Sequence, residues 1–467
     1  MKKKRIFALA SCFILAVGAC GCNFGGGNAS DTIPDTTLVD YESYKGKQNI
    51  MLTAWDFPQL EYLDGVGYDT PRNNAIIQDI VAAHFDVLNL TGTHSLYINT
   101  AENIQLTKEQ IALCNQNGLK SVVFGSNTGL DNENILFTDN YPDFSDCEGF
   151  YGFMPWDEPN VANMNKLGLY AEQFNEIYRG TDAIYHVNLL PSYAAPFTSG
   201  GYDDYMTTYG EEVLSKVEGE KWMMVDSYPI NPDGTLFLNF LYDLIALKTY
   251  SIKYDAKSQM SLMSTATGPN LRSPIKEEIY TQAYAALAMG MDGIAWYTYS
   301  TPREPHIPDG SAPVKNDGTK TEHYDDLKEV NATLKSFGHA YQCFDWQGVM
   351  FHSSKQTSAM NFVKRNTIVN EWVLTAEDTK SLESVDGEGD FIIGVMKDEL
   401  GNDGFMVTNY SDKKNSASAT VEFTFSNMNY LRVYKNGEIE DLPIVDNKIT
   451  LPLNYGEGAL VIPYYKN

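Results

Sequence analysis

The sequence predicts an α/β chain in two parts: a (β/α)8 TIM barrel followed by a C-terminal antiparallel β-sandwich. Three observations carry that expectation. From about residue 49 to 344, short apolar runs alternate with longer helical patterns, and the apolar run recurs eight times. That rhythm calls for parallel strands covered by helices, at the length of a closed barrel. The first run ends in Trp55-Asp56-Phe57-Pro58, with no glycine, whereas an open doubly wound sheet usually binds a nucleotide through a Gly-rich turn there. After Phe344 the helical period stops and strand-like alternation takes over.

Taken in order, the eight strand patterns are 49–55, 86–90, 120–124, 149–156, 184–190, 221–225, 259–263 and 293–297. Helical spacing covers 74–85, 107–117, 161–178, 205–217, 240–254, 276–289 and 324–341. Thr107 with Gln110 three residues on reads as a capping box, and Gly118 as a stop. Beyond the barrel, alternation marks strands at 347–353, 367–375, 390–397, 404–409, 417–425, 430–434, 448–453 and 458–463, separated by turns such as Lys435-Asn436-Gly437. Aromatic residues make up 12 % of the 467 and apolar residues 43 %, enough to build a real core.

The 34 Lys and Arg against 61 Asp and Glu leave a net charge of −27. Such a surface excludes nucleic acid as partner and docking on anionic lipid through a basic face. Residues 1–19 read as a targeting segment: Lys2 to Arg5 are basic, and 6–17 form an apolar stretch too short to span a bilayer. Val17-Gly18-Ala19-Cys20 resembles the lipobox of bacterial lipoproteins. The resemblance implies lipidation at Cys20 and a cell-surface protein held to the membrane by that anchor alone. Residues 20–47, with Gly25-Gly26-Gly27-Asn28, read as a flexible tether. The expected domains are therefore 1–19 signal, 20–47 tether, 48–344 barrel and 345–467 sandwich. Cys114, Cys147 and Cys343 lie far apart and read as buried thiols rather than a zinc site or a disulfide scaffold.

In a barrel of this kind the active site lies at the C-terminal ends of the strands. The residues just after each run are Trp55 and Asp56, His94, Asn127, Trp156 with Asp157 and Glu158, Tyr193, Asp226 with Tyr228, Thr265, and Trp296 with Tyr299. Carboxylates bind hydroxyls or move protons, and aromatic faces stack on the C–H faces of sugar rings. The mixture is the composition of a carbohydrate cleft. No cofactor or metal is expected, because the chain has no Gly-x-Ser-x-Gly elbow, no Walker loop and no His-Glu-x-x-His motif.

The strongest single feature is Gly152-Phe153-Met154-Pro155-Trp156-Asp157-Glu158-Pro159-Asn160. It resembles the fourth-strand motif of the clan A glycoside hydrolases, and more closely that of bacterial barrel proteins with Asp-Glu-Pro at this place. The resemblance implies a general acid/base at Glu158 and departs from the clan at Asp157, where asparagine is usual. Asp226-Ser227-Tyr228-Pro229 and the segment 293–299 also resemble the sixth and eighth strand ends of those proteins, with Trp296 at the clan's tryptophan. The clan's second carboxylate should follow the seventh strand, but Ser261 to Thr267 holds no acid. Asp226 is the best-placed substitute, with Asp56 and Glu304 as others. Glu277 and Glu278 read as the first turn of a helix. The expected site is thus Glu158 and Asp226 for chemistry, with Asp56, His94, Asn127, Trp156, Asp157, Tyr193, Tyr228, Trp296 and Tyr299 around the sugar.

Overall fold

A computed structural model describes residues 38–90, 101–124, 143–194, 201–267, 272–302, 307–354, 367–411 and 418–466. Cys20, His94, Asn127 and Glu304 lie outside the described residues. The first sheet holds β1 (Met51–Trp55), β2 (Val87–Leu90), β3 (Lys120–Phe124), β4 (Phe150–Met154), β5 (Ile184–Tyr185), β6 (Asn188–Leu189), β7 (Trp222–Asp226), β8 (Lys257–Met263) and β9 (Gly293–Tyr297). Its order runs β5-β4-β3-β2-β1-β9-β8-β7-β6, and its pairings are parallel. The two ends of that order, β5 and β6, are separated by only His186 and Val187, so they are halves of one interrupted strand. One half pairs with β4 and the other with β7. The sheet is therefore closed, with eight strands, as the alternation requires.

Closure gives each strand an inner and an outer face. Trp55, Val87, Val122, Met154, Met224 and Ala295 cluster inside the barrel, with Phe124 and Tyr297 beside them. Their neighbours Ala54, Leu88, Val123, Phe153, Val225 and Ile294 belong to the larger core under the helices. That period of two is what places the site residues.

The helices follow the expected windows, with shifted ends. α1 (Pro71–Ala82) starts three residues earlier than its apolar spacing suggests, because Thr70 caps it by accepting the Asn73 amide at 3.1 Å and Pro71 fits its first position. α2 (Ala101–Gln116) runs through Thr107, whose hydroxyl donates to the Asn103 carbonyl one turn back at 2.8 Å instead of capping. α3 (Met164–Tyr178), α4 (Tyr202–Glu212), α5 (Phe240–Lys253), α6 (Lys276–Ala288) and α7 (Glu322–Tyr341) complete the covering layer. Glu278 does belong to the first turn of α6, where it accepts the Ile275 amide at 2.9 Å and pairs with Arg272.

The C-terminal part is a sandwich of a six-stranded antiparallel sheet and a three-stranded one. The larger contains β10 (Phe344–Ser353), β12 (Asp390–Asp398), β13 (Asp403–Asn409), β18 (Gly458–Tyr464), β15 (Tyr430–Lys435) and β16 (Glu438–Pro443) in that order. The smaller holds β11 (Leu382–Glu388), β14 (Ala419–Phe425) and β17 (Lys448–Leu453). Phe391, Ile393, Val395, Phe405 and Val461 fill the space between the sheets. Ile392, Met396, Met406, Leu460 and Ile462 point the other way and join the barrel core.

The described residues fall in one compact unit. Gly394 lies so close to α6 that a Cβ there would stand 2.2 Å from the Ala288 carbonyl oxygen. The last residues of the expected tether, 20–47, belong to the folded part. Tyr41 is fully buried, its hydroxyl donates to Asp398 at 2.8 Å, and its ring stacks on Phe344 at 5.2 Å. The expected strand at 367–375 is instead a helical turn at Thr367–Asn370 followed by a bridge from Val373 to Val349. The backbone there closes on β10, with Leu374 N donating to Val349 O at 2.8 Å. Cys114, Cys147 and Cys343 are free thiols.

Candidate active site

After β4 the chain passes Pro155 and Trp156 and turns at Asp157 and Glu158. Asp157 bridges to Asn188 on the fifth strand, and the Glu158 amide donates to the Asn188 carbonyl at 2.9 Å. Glu158 takes a left-handed backbone, φ +48°, as does Asp56 after β1, φ +54°. Side chains other than glycine adopt that region at a cost of roughly 1–2 kcal/mol. Such costs gather where a side chain must be aimed, and these two residues stand at the C-terminal ends of their strands.

Asp226 is the last residue of β7 and is 4 % exposed. Asn188 holds both Asp226, through its side-chain amide, and Glu158, through its carbonyl, so the two carboxyls titrate together as a pair. Burial raises both above the ordinary carboxylate range, and the negative charges of Glu158 and Asp157 push Asp226 further. Asp226 is the more deeply buried member of the pair, and Glu158 is the member open enough to reach a ligand. Asp157 is raised to about 7 by burial, against the Asn188 bond that lowers it and with Glu158 and Asp56 adding to the rise.

Asn188 ties the three acids together, its amide donating to Asp157 at 2.8 Å and to Asp226 at 3.3 Å. Behind them, Asp243 on α5 accepts the Ser192 amide at 3.0 Å and the Ser227 hydroxyl at 2.7 Å. It thereby fixes the loops that carry Tyr193 and Tyr228. Neither Asn188 nor Asp243 was expected from the sequence. Asn188 stands within the fifth strand, not after it, and only the inward phase of that strand reveals it.

The aromatic expectations divide. Tyr193 is 42 % exposed and meets Phe237 edge-on at 5.1 Å. Tyr228 is half-buried and lies 5.6 Å from Tyr297, which in turn packs 6.1 Å from Trp55. Trp296 is not on the cleft. It is fully buried on the outer face of β9, and its indole donates to Asn331 on α7 at 2.8 Å. Tyr299 is buried against Phe85 and Tyr324, also under the helices. Trp156 is 2 % exposed in the same outer core, with the Lys166 ammonium 5.9 Å from its ring. The ring that β9 turns inward is Tyr297, one residue past Trp296. Thr265 is buried, bonded to Ser311 at 2.9 Å. Among the described residues, no group of three or more His, Cys, Asp and Glu side chains is arranged to hold a metal ion.

No protein-family model matches the chain, and no curated protein matches it in sequence. Solved structures align with it at low similarity. A Bacteroides fragilis protein proposed to be an α-galactosidase has 10 % identity and a TM-score of 0.49, over 90 % of this chain and 80 % of its own. A GH27 β-L-arabinopyranosidase from Geobacillus stearothermophilus has 10 % identity and a TM-score of 0.45, over 91 % and 98 %. An Anoxybacillus α-amylase has 11 % identity and a TM-score of 0.43, over 90 % and 98 %. At these scores the fold assignment rests on the strand order and closure of this chain.

Proposed function

We propose that this chain is a glycoside hydrolase acting on an extracellular glycan, with Glu158 as general acid/base and Asp226 as its proton partner. The observation that carries the reading is the Glu158–Asp226 carboxyl pair at the C-terminal end of the barrel. A glycosidic oxygen leaves poorly unless it is protonated in the transition state, so the enzyme needs an acid that is still protonated near neutral pH. Burial pushes Glu158 in that direction.

The proton held by the pair passes through Glu158 to the leaving oxygen, which leaves both carboxyls ionised. The Asp226 carboxylate so formed stabilises the positive charge that develops on the sugar. The incoming water gives its hydroxide to the anomeric carbon and its proton back to the carboxyl pair, which closes the cycle. Asp157 and Asp56 assist the water from the same acidic group. In retaining glycosidases the two carboxyls stand about 5–5.5 Å apart, and in inverting ones about 6.5–9.5 Å. The stereochemistry of the released sugar, read by NMR, tells which of the two arrangements the Glu158–Asp226 pair serves. Tyr193, Tyr228 and Tyr297 supply rings for the sugar. Lipidation at Cys20 and a bacterial cell-surface location complete the proposal, and labelling with radioactive palmitate, lost in Cys20→Ala, tests them.

The deciding experiment is Glu158→Gln assayed by release of reducing sugar from oligosaccharides. Turnover should vanish while the melting temperature stays within a few degrees of the parent. Full activity in that variant would end the proposal. A chain that only binds glycan would yield no product even as wild type.

A further inference from the structure

We propose that the groove between α6 and the sandwich is a second glycan-binding site, which takes neutral oligosaccharide and rejects anionic sugars. It builds on the glycan reading of the barrel, but it stands on other residues and its test reads binding instead of cleavage.

The groove holds about 830 Å³ and is walled by Tyr280, Tyr284, Asn436, Asn454, Tyr455 and Glu457. Small-ligand sites occupy a few hundred to about a thousand Å³. Tyr280 and Tyr284 stack at 5.9 Å with their planes 16° apart. Tyr284 is 1 % exposed, and its hydroxyl has no partner among the described residues. A buried hydroxyl left in that state costs free energy that a ligand hydroxyl can restore.

Two glycines press the sandwich wall onto the barrel. A Cβ on Gly456 would stand 2.3 Å from the Glu277 carbonyl oxygen, and one on Gly458 would stand 2.5 Å from the Tyr284 ring. Glu457 then organises the polar rim, accepting the Asn454 amide at 2.9 Å and the Asn436 side chain at 3.2 Å while pairing with Lys435 at 2.8 Å. Burial opposes the charge on Glu457, yet those bonds hold it below the usual carboxylate range, so it stays ionised. Stacked tyrosines, fixed amides and a fixed carboxylate are the chemistry that recognises a polyhydroxylated ring, held ready before the ligand arrives. The rim carries Glu277, Glu329 and Glu457 against two lysines, Lys276, which Glu329 engages at 3.1 Å, and Lys435, which Glu457 engages, so one negative charge remains. A uronate or sulfated sugar would meet net repulsion there.

The test uses the full chain carrying Glu158→Gln, so that no sugar is consumed. Isothermal titration calorimetry is run with maltohexaose, cellohexaose, xylohexaose and mannohexaose, and with hexagalacturonate as the anionic control. At least one neutral hexasaccharide should bind, and Asn436→Gly with Asn454→Ala should weaken that binding about ten-fold, which is about 1.4 kcal/mol. Both asparagines are exposed and glycine accepts the left-handed backbone of position 436, so the pair leaves the fold intact; Tyr280→Ala, which removes the platform, should act in the same direction. Binding of hexagalacturonate at the groove as tight as that of a neutral sugar would overturn the proposal. So would failure of all four neutral sugars to bind, or unchanged affinity and stoichiometry in the groove variants. If the wild type cleaves nothing but the groove variants still lose sugar, the barrel reading fails and this one survives.

Discussion

The two ends of the barrel use the same acidic residues in opposite ways. At the N-terminal end Asp86 pairs with Lys335 and accepts the Leu52 amide at 2.8 Å. Asp292 there pairs with Lys248 at 3.3 Å and accepts the Ser258 amide at 2.9 Å. At the C-terminal end Asp226 faces Glu158 and Asp157, so carboxyl meets carboxyl. Lysines and amides pair with the lower acids and tie strands to helices. The upper acids are crowded and buried until they keep protons. Environment, not residue type, separates the end that holds the barrel together from the end that can do chemistry.

The largest effect should come from breaking the upper end. Glu158→Gln should lower kcat by roughly 10²–10⁴-fold, as read by product release. Asp226→Asn replaces the shared proton with a permanent donor. It should cost about 10²-fold in kcat, and it should lower the Glu158 pKa so that activity is lost at a lower pH than in the parent. A pH–rate profile checks the sign. Asn188→Ala removes the donor that lowers Asp157 and Asp226, so their pKa values should rise, with about a ten-fold loss of rate from misplacement.

The lower end should respond in stability alone. Lys335→Met should cost about 1 kcal/mol in denaturant melts, because Asp86 is partly exposed and the pair is screened, and kcat should not change. A further effect on stability concerns pH. The folded chain holds a proton on Asp157 that the unfolded chain releases near its ordinary value. The stability this adds is full below that value and is lost as pH rises through about 7. The melting temperature should therefore fall between about pH 5 and about pH 8, and the fall should be shallower in Asp157→Asn.

Much of the barrel was legible because its strands are buried on both faces and read as apolar runs. The sandwich was less so. β11 (Leu-Glu-Ser-Val-Asp-Gly-Glu) and β16 (Glu-Ile-Glu-Asp-Leu-Pro) went unread, since both are mostly exposed edge strands ordered by ladder bonds to β14 and β15. The hairpin into β16 turns on Asn436 and Gly437, both at positive φ, which is the geometry Asn-Gly favours. In the site, position after a strand located Asp157, Glu158 and Asp226, because those acids sit where the strand stops. It misplaced Trp296 and Tyr299, because a shift of one residue moves a side chain from the cleft to the helix layer. Tyr297 and Asn188 needed the inward phase of their strands, which comes only from closing the sheet.

The packing of the larger sandwich sheet has a practical consequence for anyone wishing to shorten this protein. Its strands are apolar on both sides, and one side is the lid over α6, where Gly394 meets Ala288 and the Trp346 indole donates to the Ala288 carbonyl at 3.0 Å. Cutting the chain after Phe344 would uncover that lid seat on the barrel and strand Ile392, Met396, Met406, Leu460 and Ile462 in water on the other fragment. The halves are thus not interchangeable modules, and each serves as the folding partner of the other.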